Sequence, residues 1–434
     1  MEVKKLNKEV AERIHMIAQG KIPKGYCKEK DCIIPEKWKV EKCGDIISYK
    51  NGLNYSSNST GKLTKIVGVG DFKDRFYLDS TTLGEILCKD LDEDYYIVNG
   101  DMIFVRSNGN KELIGRILFC ENIEDKVTFS GFTIRGRVIS KEFIPKFCAY
   151  YFSSTLVKKQ YIKMGGGTNI SNLSQSILGD INIFQPTLNE QKRIIEIVST
   201  WDKAIELKEK LLLEEQQKKQ GLLEKVLLEA KKNHNPKKWV SVKISEVLDV
   251  RDERETINAG LELYSLTIED GVTPKCDRYN RQFLVKDEDK KYKVTKFNDV
   301  VYNPANLRFG AIALNKVEQD VLLSPIYETL YLKDDERFDI NFIAELLMNP
   351  NQIKKFSTMA EGTLVERMAV KVKDFMKFKI DVPSDINEQV RLAKIFNLQQ
   401  KQIEMLKQEI EALKEQKKGL MQLLLTGIVR VKVD

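Results

Sequence analysis

Asn303-Pro304-Ala305-Asn306, which follows a β-branched run, is the first stretch whose residue types could do chemistry. An adenine methyltransferase holds a flipped base with a strand ending in Asn/Asp-Pro-Pro-Tyr/Phe and binds its methyl donor at a glycine-rich turn. Here the second proline and the stacking aromatic are missing. Gly68-Val69-Gly70 is the only candidate glycine turn, and Leu266-Thr267-Ile268 at the matching place later in the chain has no glycine. No Gly-x-x-x-x-Gly-Lys-Ser/Thr occurs, which excludes a P-loop nucleotidase. The only histidines are His15 and His234, so histidine-activated serine or cysteine nucleophiles have little to draw on. Cys27 and Cys32 lack a second pair of ligands for zinc.

A second chemistry fits better. Arg106-Ser107-Asn108-Gly109-Asn110-Lys111 and Asn303 to Arg308 (with Asn306) follow matched strands, and both are amide-rich with a cation at the end. Asn makes bidentate contacts to adenine, and Arg or Lys to guanine, in the major groove of DNA. Further clusters of cations and amides lie near expected strand ends: Lys50 with Asn51, Lys73 with Arg75, Arg251 with Arg254, and Arg278-Tyr279-Asn280-Arg281. Gly166-Gly167-Thr168 with Asn169, and Glu361-Gly362-Thr363, could offer backbone amides to phosphate. Any one of these residues is equally a turn former or a solvated cation. As a set they favour DNA reading.

Two copies of one design must position these loops. Pro186-Thr-Leu-Asn189-Glu190-Gln191 recurs as Pro383-Ser-Asp-Ile-Asn387-Glu388-Gln389, and each copy runs on through Gln-Lys-Lys to Gly-Leu. Thr187-x-x-Glu190 and Asp385-x-x-Glu388 have capping-box spacing. Ile403, Leu406, Ile410, Leu413, Leu420 and Leu424 then step by threes and fours, a heptad seam interrupted at Lys417. Ile205, Leu212, Leu222 and Val226 stand at the matching places of the first copy, with Trp201 one turn earlier, and Lys208, Glu215 and Lys219 interrupt. About 40 helical residues make a rod of roughly 60 Å, too long to bury its seam on its own domain. The natural partner is the twin helix, leaving Ile195, Leu211 and Leu213 as a second face.

The rest of each half repeats as well. Pro35-Glu-Lys-Trp38 matches Pro236-Lys-Lys-Trp239, the tryptophans reading as core anchors; Ile66 to Val69 matches Tyr264 to Thr267; Asn99-Gly-Asp101 before a strand matches Phe297-Asn-Asp299; last strands are expected at 181–184 and 378–382. The expected fold is α/β (α+β), with two duplicated globular domains separated by two long antiparallel coiled-coil helices in pseudo-two-fold arrangement. Its segments are an extension with a short helix (1–34), a first recognition domain (35–185), a central helix (186–233), a second domain (234–383), a distal helix (384–427) and a tail (428–434) that returns towards the first domain.

At 434 residues, 42% hydrophobic and 31% charged, the chain has the composition of several folded domains. A net charge of +7 permits a polyanion partner without demanding one. With no apolar run near 18 residues and a charged start at Met1-Glu-Val-Lys-Lys, neither a membrane span nor a signal peptide is expected. Seven cysteines, an odd number with no Cys-x-x-Cys pair, suit free thiols in a reducing cytoplasm.

Pro35-x-x-Trp38, Asn99-Gly-Asp101, Gly167-Thr168, Pro186-x-x-Asn-Glu-Gln191, Trp201-Asp202-Lys203 and Gln217-Lys-Lys219, with the second set ending at Leu424-Leu-Thr-Gly427, carry a resemblance over almost the whole chain. In this order, twice, they resemble the DNA-specificity subunit of type I restriction–modification systems. The resemblance implies a non-catalytic chain whose two recognition domains each read one half of a bipartite site on double-stranded DNA. It also implies that the helix pair sets the spacer and, with its seam residues as candidate interface, docks two methyltransferase subunits, with ATP-driven restriction subunits in the larger complex. S-adenosylmethionine, ATP and Mg would be used by those partners, and no cofactor by this chain. The 34-residue front extension and the extra residue in Ser384-Asp385-Ile386 depart from the pattern. The rival readings are a self-contained adenine methyltransferase and a coiled-coil scaffold.

Overall fold

The structure is a computed structural model and describes residues 2–55, 60–73, 75–89, 91–108, 113–164, 172–232, 238–257, 260–275, 290–359 and 369–432. Two compact units divide it, the first made of residues 1–208 and 409–434, the second of residues 209–408.

The first unit begins with α1 (Glu2–Ala18) and a hairpin of β1 (Tyr26–Glu29) and β2 (Cys32–Pro35), turned at Lys30 and Asp31 with positive φ. The alternation after Trp38 resolves into β3 (Lys39–Lys42), the single turn α2 (Cys43–Ile46) and β4 (Ile47–Asn51). There follow β5 (Lys62–Val67), β6 (Gly84–Cys88), β7 (Met102–Val105), β8 (Ile117–Phe119), β9 (Val127–Phe129) and β10 (Thr133–Val138). Then come α3 (Pro145–Phe152), α4 (Thr155–Met164), α5 (Gln175–Gly179), β11 (Asn182–Gln185) and the long α6 (Leu188–Lys232). Sheet orders are β4-β10-β7-β8, β6-β5-β9 and β11-β3. β7 and β8 are buried throughout because α3 covers one face and the β5 sheet the other.

The second unit repeats that plan with β12 (Trp239–Lys243), α7 (Ile244–Val247), β13 (Leu248–Val250), β14 (Arg254–Glu255), β15 (Glu262–Thr267), β16 (Gly271–Pro274), β17 (Tyr292–Thr295), β18 (Val300–Tyr302), β19 (Ile312–Leu314), β20 (Val321–Leu323) and β21 (Glu328–Leu332). Its helices α8 (Ile340–Leu347), α9 (Pro350–Thr358) and α10 (Val372–Lys377) lead to β22 (Lys379–Pro383) and the second long helix, α11 (Ile386–Leu425). The order β13-β21-β18-β19 copies β4-β10-β7-β8, and β12-β22 copies β3-β11. The remaining sheet, β14-β17-β20-β15-β16, contains the β6-β5-β9 plan and adds β17 and β14.

The repeated Asn-Glu-Gln text is explained by its glutamine. Gln191, fully buried, accepts from the Ile144 N–H at 2.9 Å and donates to the carbonyls of Glu142 (2.8 Å) and Pro186 (3.0 Å). Gln389 accepts from the Asp339 N–H (3.0 Å) and donates to Arg337 (3.0 Å) and Pro383 (2.8 Å). In each unit one amide thus ties the first turn of a long helix to the loop entering α3 or α8. Capping differs between the copies. Thr187 and Glu190 exchange backbone bonds as a capping box should, with the Thr187 N–H donating to Glu190 at 3.0 Å and the Glu190 N–H to Thr187 Oγ1 at 3.3 Å. The second box does not form as expected. Asp385 accepts from the Asn387 N–H (2.9 Å), and Glu388 is drawn away by the Arg391 guanidinium at 2.7 Å.

The long helices run antiparallel within each unit. In the first, Asp202 of α6 pairs with Lys417 of α11 and Lys208 with Glu409 at 2.7 Å, the numbers rising on one helix as they fall on the other. In the second, Lys219 of α6 donates to Gln400 of α11 at 3.0 Å, and Leu223 shares a core with Leu392 and Phe396. Ile205, Ile403, Leu406, Ile410 and Leu424 are buried by this chain itself, and Trp201, Leu212, Leu222, Val226, Leu413 and Leu420 are half-buried. The seam is therefore occupied largely inside the chain, and for the buried Ile205, Ile403, Leu406 and Ile410 the reading as a subunit contact is corrected to a contact within the chain.

The lysines that break the heptad are polar pins. Lys417 meets Asp202, whose other oxygen accepts from the Tyr150 hydroxyl of α3 at 2.6 Å. Lys219 meets Gln400 and, at 2.8 Å, Glu345 of α8, the residue at the address of Tyr150 in the copy. A buried polar contact in a helix seam fixes register, because any slip leaves it unpaired.

The end of α11 closes on the front of the first unit. Gly427 has φ +68, and a Cβ there would lie 2.6 Å from the Pro35 ring, so only glycine ends the helix against the Pro35-x-x-Trp38 corner. Tyr26 donates to the Gly427 carbonyl (2.8 Å), Arg13 to the Ile428 carbonyl (2.7 Å), and Arg430 pairs with Glu190, which also accepts from the buried Trp38 indole at 3.2 Å. The front extension is a clasp on the tail.

Candidate nucleic-acid interface

The loops that follow β7 and β18 are held by backbone bonds at matching addresses. In the first unit the Arg106 N–H donates to the Phe132 carbonyl (2.9 Å), and the Leu173 N–H, where the chain returns from residues 165–171, donates to the Arg106 carbonyl (2.8 Å). The Arg106 guanidinium donates to the Gly131 carbonyl at 3.3 Å, and the Gly131 N–H to the Leu53 carbonyl at 2.7 Å. The ends of β4 and β7, the turn between β9 and β10, and the exit of the Gly-Thr segment therefore meet at one edge. In the second unit the Val370 N–H donates to the Pro304 carbonyl (2.9 Å), the same clamp on the other copy. Asn303 accepts from the Ala305 N–H (3.0 Å), and the turn Leu307–Phe309 is closed by Gly310 at φ +95. The Arg308 guanidinium stacks 4.6 Å from the Phe309 ring centre.

Several candidate readers are engaged elsewhere. Arg251 grips buried Asp299 with two bonds (2.7 and 2.9 Å) and lies 4.9 Å from the Tyr331 ring, so it holds the domain together and is corrected from a base reader to a framework residue. Its equivalent in the first unit, Lys50, donates to Asp94 at 2.6 Å over the Tyr95 ring, and there Asp101, the copy of Asp299, is gripped instead by Arg137 (2.8 Å, twice). Lys50, with Arg135 beside it, holds the Asp94 carboxyl down at about 2. Arg75 pairs with Asp79 (2.8 Å) and Arg254 with Asp252 (2.9 Å), both ion pairs at the surface. Lys73, Asn51 and Asn306 are exposed; Ser107, Asn108 and Asn303 are half-buried beside the clamps. Asn110, Lys111, Thr168, Asn169, Arg278, Tyr279, Arg281 and Thr363 lie outside the described residues.

The glycine turn and the Asn-Pro segment have local duties. Asp71 accepts from the Gly68 N–H at 2.8 Å, closing the Gly68-Val-Gly70 turn on itself, and Asn303 is occupied by its own turn. Among the described residues no group of three His, Cys, Asp or Glu is placed to hold a metal, six cysteines are free thiols, and no helix is long and apolar enough to cross a membrane. Arg137 and the two buried glutamines were missed as framework residues. The repeated glutamine text signalled its role; Arg137 left no signal, because the second copy has Tyr331 at that address.

Known proteins carry the same organisation. The type I restriction–modification DNA specificity domain matches twice, at residues 35–215 and 236–415. Two proteins of Methanocaldococcus jannaschii align over nearly their full length: the candidate specificity subunit of the MjaX type I restriction enzyme (26% identical, 92% of this chain, 95% of the relative) and the MjaVIII type I restriction enzyme specificity subunit (24%, 92% and 94%). A chain from the solved structure "Structural basis underlying complex assembly and conformational transition of the type I R-M system" shares the fold at TM-score 0.56 and 17% identity, covering 91% of this chain and 99% of its own. With two such domains filling most of its length, this chain belongs to the type I restriction–modification DNA specificity family.

Proposed function

We propose that this chain is the DNA-reading subunit of a type I restriction–modification complex. Each unit reads one half of a bipartite duplex target, and the antiparallel helices fix the distance between the halves. The carrying observation is that the two units share a backbone frame, clamped at Arg106–Leu173 and Pro304–Val370, yet present different text on it. A frame repeated with changed loops suits two different base sequences read in one geometry. Two methyltransferase subunits would dock on faces of the helices left outside the seam, where Leu211, Leu213, Leu398 and Met405 of the second unit are exposed. Restriction subunits complete the assembly, and S-adenosylmethionine, ATP and Mg are used by the partners. The work is done in the cytoplasm, beside the DNA.

The test is reconstitution with the methyltransferase partner. Binding to duplex DNA should require this chain, weaken with salt, and yield methylation at split sites of constant spacing. Methyl transfer by this chain alone would establish a self-contained enzyme instead, and equal DNA binding without it would reduce it to a scaffold.

A further inference from the structure

At the edge built by the clamps, each unit exposes one large apolar side chain on the tip of the same turn. Phe132, between β9 and β10, is 64% exposed, and Ile326, between β20 and β21, is 61% exposed. The turns are equivalent: the Thr133 N–H donates to the Ser130 carbonyl at 2.8 Å, and the Tyr327 N–H to the Ser324 carbonyl at 3.1 Å. Residues just before each tip, Phe129 and Leu323, are fully buried, so the exposure belongs to the tip and not to a loose hairpin. Singly exposed apolar residues are common on any surface. Ile139, also 62% exposed, shows the ordinary case, since Lys333 stands at its address; the Ile139 and Lys333 N–H groups donate to the matched carbonyls of Ile46 and Val247. At the tips, by contrast, the copies differ in residue and agree in character.

The tips also adjoin the amide and cation loops. Arg106 holds the first turn through both its backbone and its guanidinium. In the second unit Glu328, two residues after Ile326, is the register partner of Tyr302, which immediately precedes Asn303. A rigid apolar tip among hydrogen-bonding groups matches one feature of the major groove that those groups cannot recognise, the thymine C5-methyl. We propose that Phe132 and Ile326 are specificity-determining residues, each contacting a thymine methyl in its own half-site. This rests on the DNA-reading function above.

The experiment uses the reconstituted complex and the duplex target found by mapping methylated sites, with each thymine replaced in turn by uracil. In the wild type, one replacement per half-site should weaken binding about fourfold, the equivalent of one buried methyl group. Phe132→Ala should weaken binding to the thymine duplex and abolish the uracil effect in the first half-site alone; Ile326→Ala should do the same in the second. Both side chains are exposed, so unfolding midpoints should not move. Uracil effects that persist in the variants, wild-type affinity in both variants, or a half-site with no thymine on either strand would overturn the inference. If the wild-type complex itself shows no preference for its mapped target, the DNA-reading function fails, a result distinguishable from failure of the tips alone.

Discussion

Replacing Gln191 or Gln389 tests whether the two units are built around the same amide. Each glutamine satisfies one backbone N–H and two backbone carbonyls, and among the described residues no other side chain bonds those atoms. Gln191→Leu keeps nearly the same volume and removes all three bonds. Each contributes about 1 kcal/mol net, and a buried group left unsatisfied costs roughly 1–3 kcal/mol. The loss should total about 3–5 kcal/mol, against the 5–15 kcal/mol that typically holds a domain. Gln191→Glu sharpens the test. Its carboxylate could still accept from Ile144 but would face the carbonyls of Glu142 and Pro186 with no proton to give. The folded state therefore favours the protonated acid, raising its pKa above the ordinary value of about 4.3. A raised folded pKa means that the native chain binds more protons than the unfolded one, so stability is full below about pH 4.3 and falls as pH rises through the folded value. Urea unfolding of the full chain at pH 5 and pH 8 reads this, and hydrogen exchange locates it, since the Ile144 amide should lose protection while Asp339 keeps it. Gln389→Glu should reverse the location. A cost below about 1 kcal/mol for Gln191→Leu, or a Gln191→Glu profile parallel to the wild type, would refute the reasoning.

Arg251→Ser should strand buried Asp299 and cost about 3 kcal/mol, and adding Tyr331→Arg should recover part of it, because the first unit supplies its arginine from that address; thermal melts decide, and no rescue would deny the equivalence. Removing one heptad from each helix, residues 209–215 with 402–408, keeps the remaining pins in register and shortens the pair by about 10 Å. Methylated-site mapping should then show a spacer about three base pairs shorter with both half-sites unchanged. Asp202→Ala and Lys417→Met should each destabilise the first unit, with a double-mutant coupling of about 1 kcal/mol or more; additive losses would remove the pin. Because Lys50 and then Arg135 depress the Asp94 carboxyl to about 2, its contribution is present above about pH 4 and is lost as pH falls towards 2. Lys50→Met should move that acid limb upward, as read by unfolding midpoint against pH.

Much of the fold was legible because duplication makes a sequence its own comparison. The Pro-x-x-Trp corners, the Asp before the central strand and the strand before each long helix are recognisable by occurring twice, and the first corner, both Asp residues and both strands have fixed backbone duties. The heptad predicted the partner helix, and its antiparallel sense follows from the pins. The candidate site was less legible for a physical reason. An arginine near a strand end has the same text whether it meets a phosphate or a carboxylate, and only the fold shows that Asp299 lies within reach of Arg251. The second capping box failed on the same ground, since Arg391 one turn along outcompetes the backbone for Glu388.

What the copies hold in common is therefore the contact and not the residue that makes it. Asp101 and Asp299 occupy one address, but the arginine that grips them comes from β10 in the first unit and from the end of β13 in the second. At the pins, the carboxylate sits on the long helix as Asp202 in one unit and on the short helix as Glu345 in the other. Such exchanges keep one end of the contact, the aspartate in the first case and a long-helix lysine in the second, while the opposite charge moves to a neighbouring element. The loops at the clamped edge obey no such constraint, because backbone bonds at Arg106 and Pro304 hold them whatever their side chains. On the proposed function, a framework that keeps one end of each contact and an edge clamped mainly through backbone would let base preference change in one unit without disturbing the other.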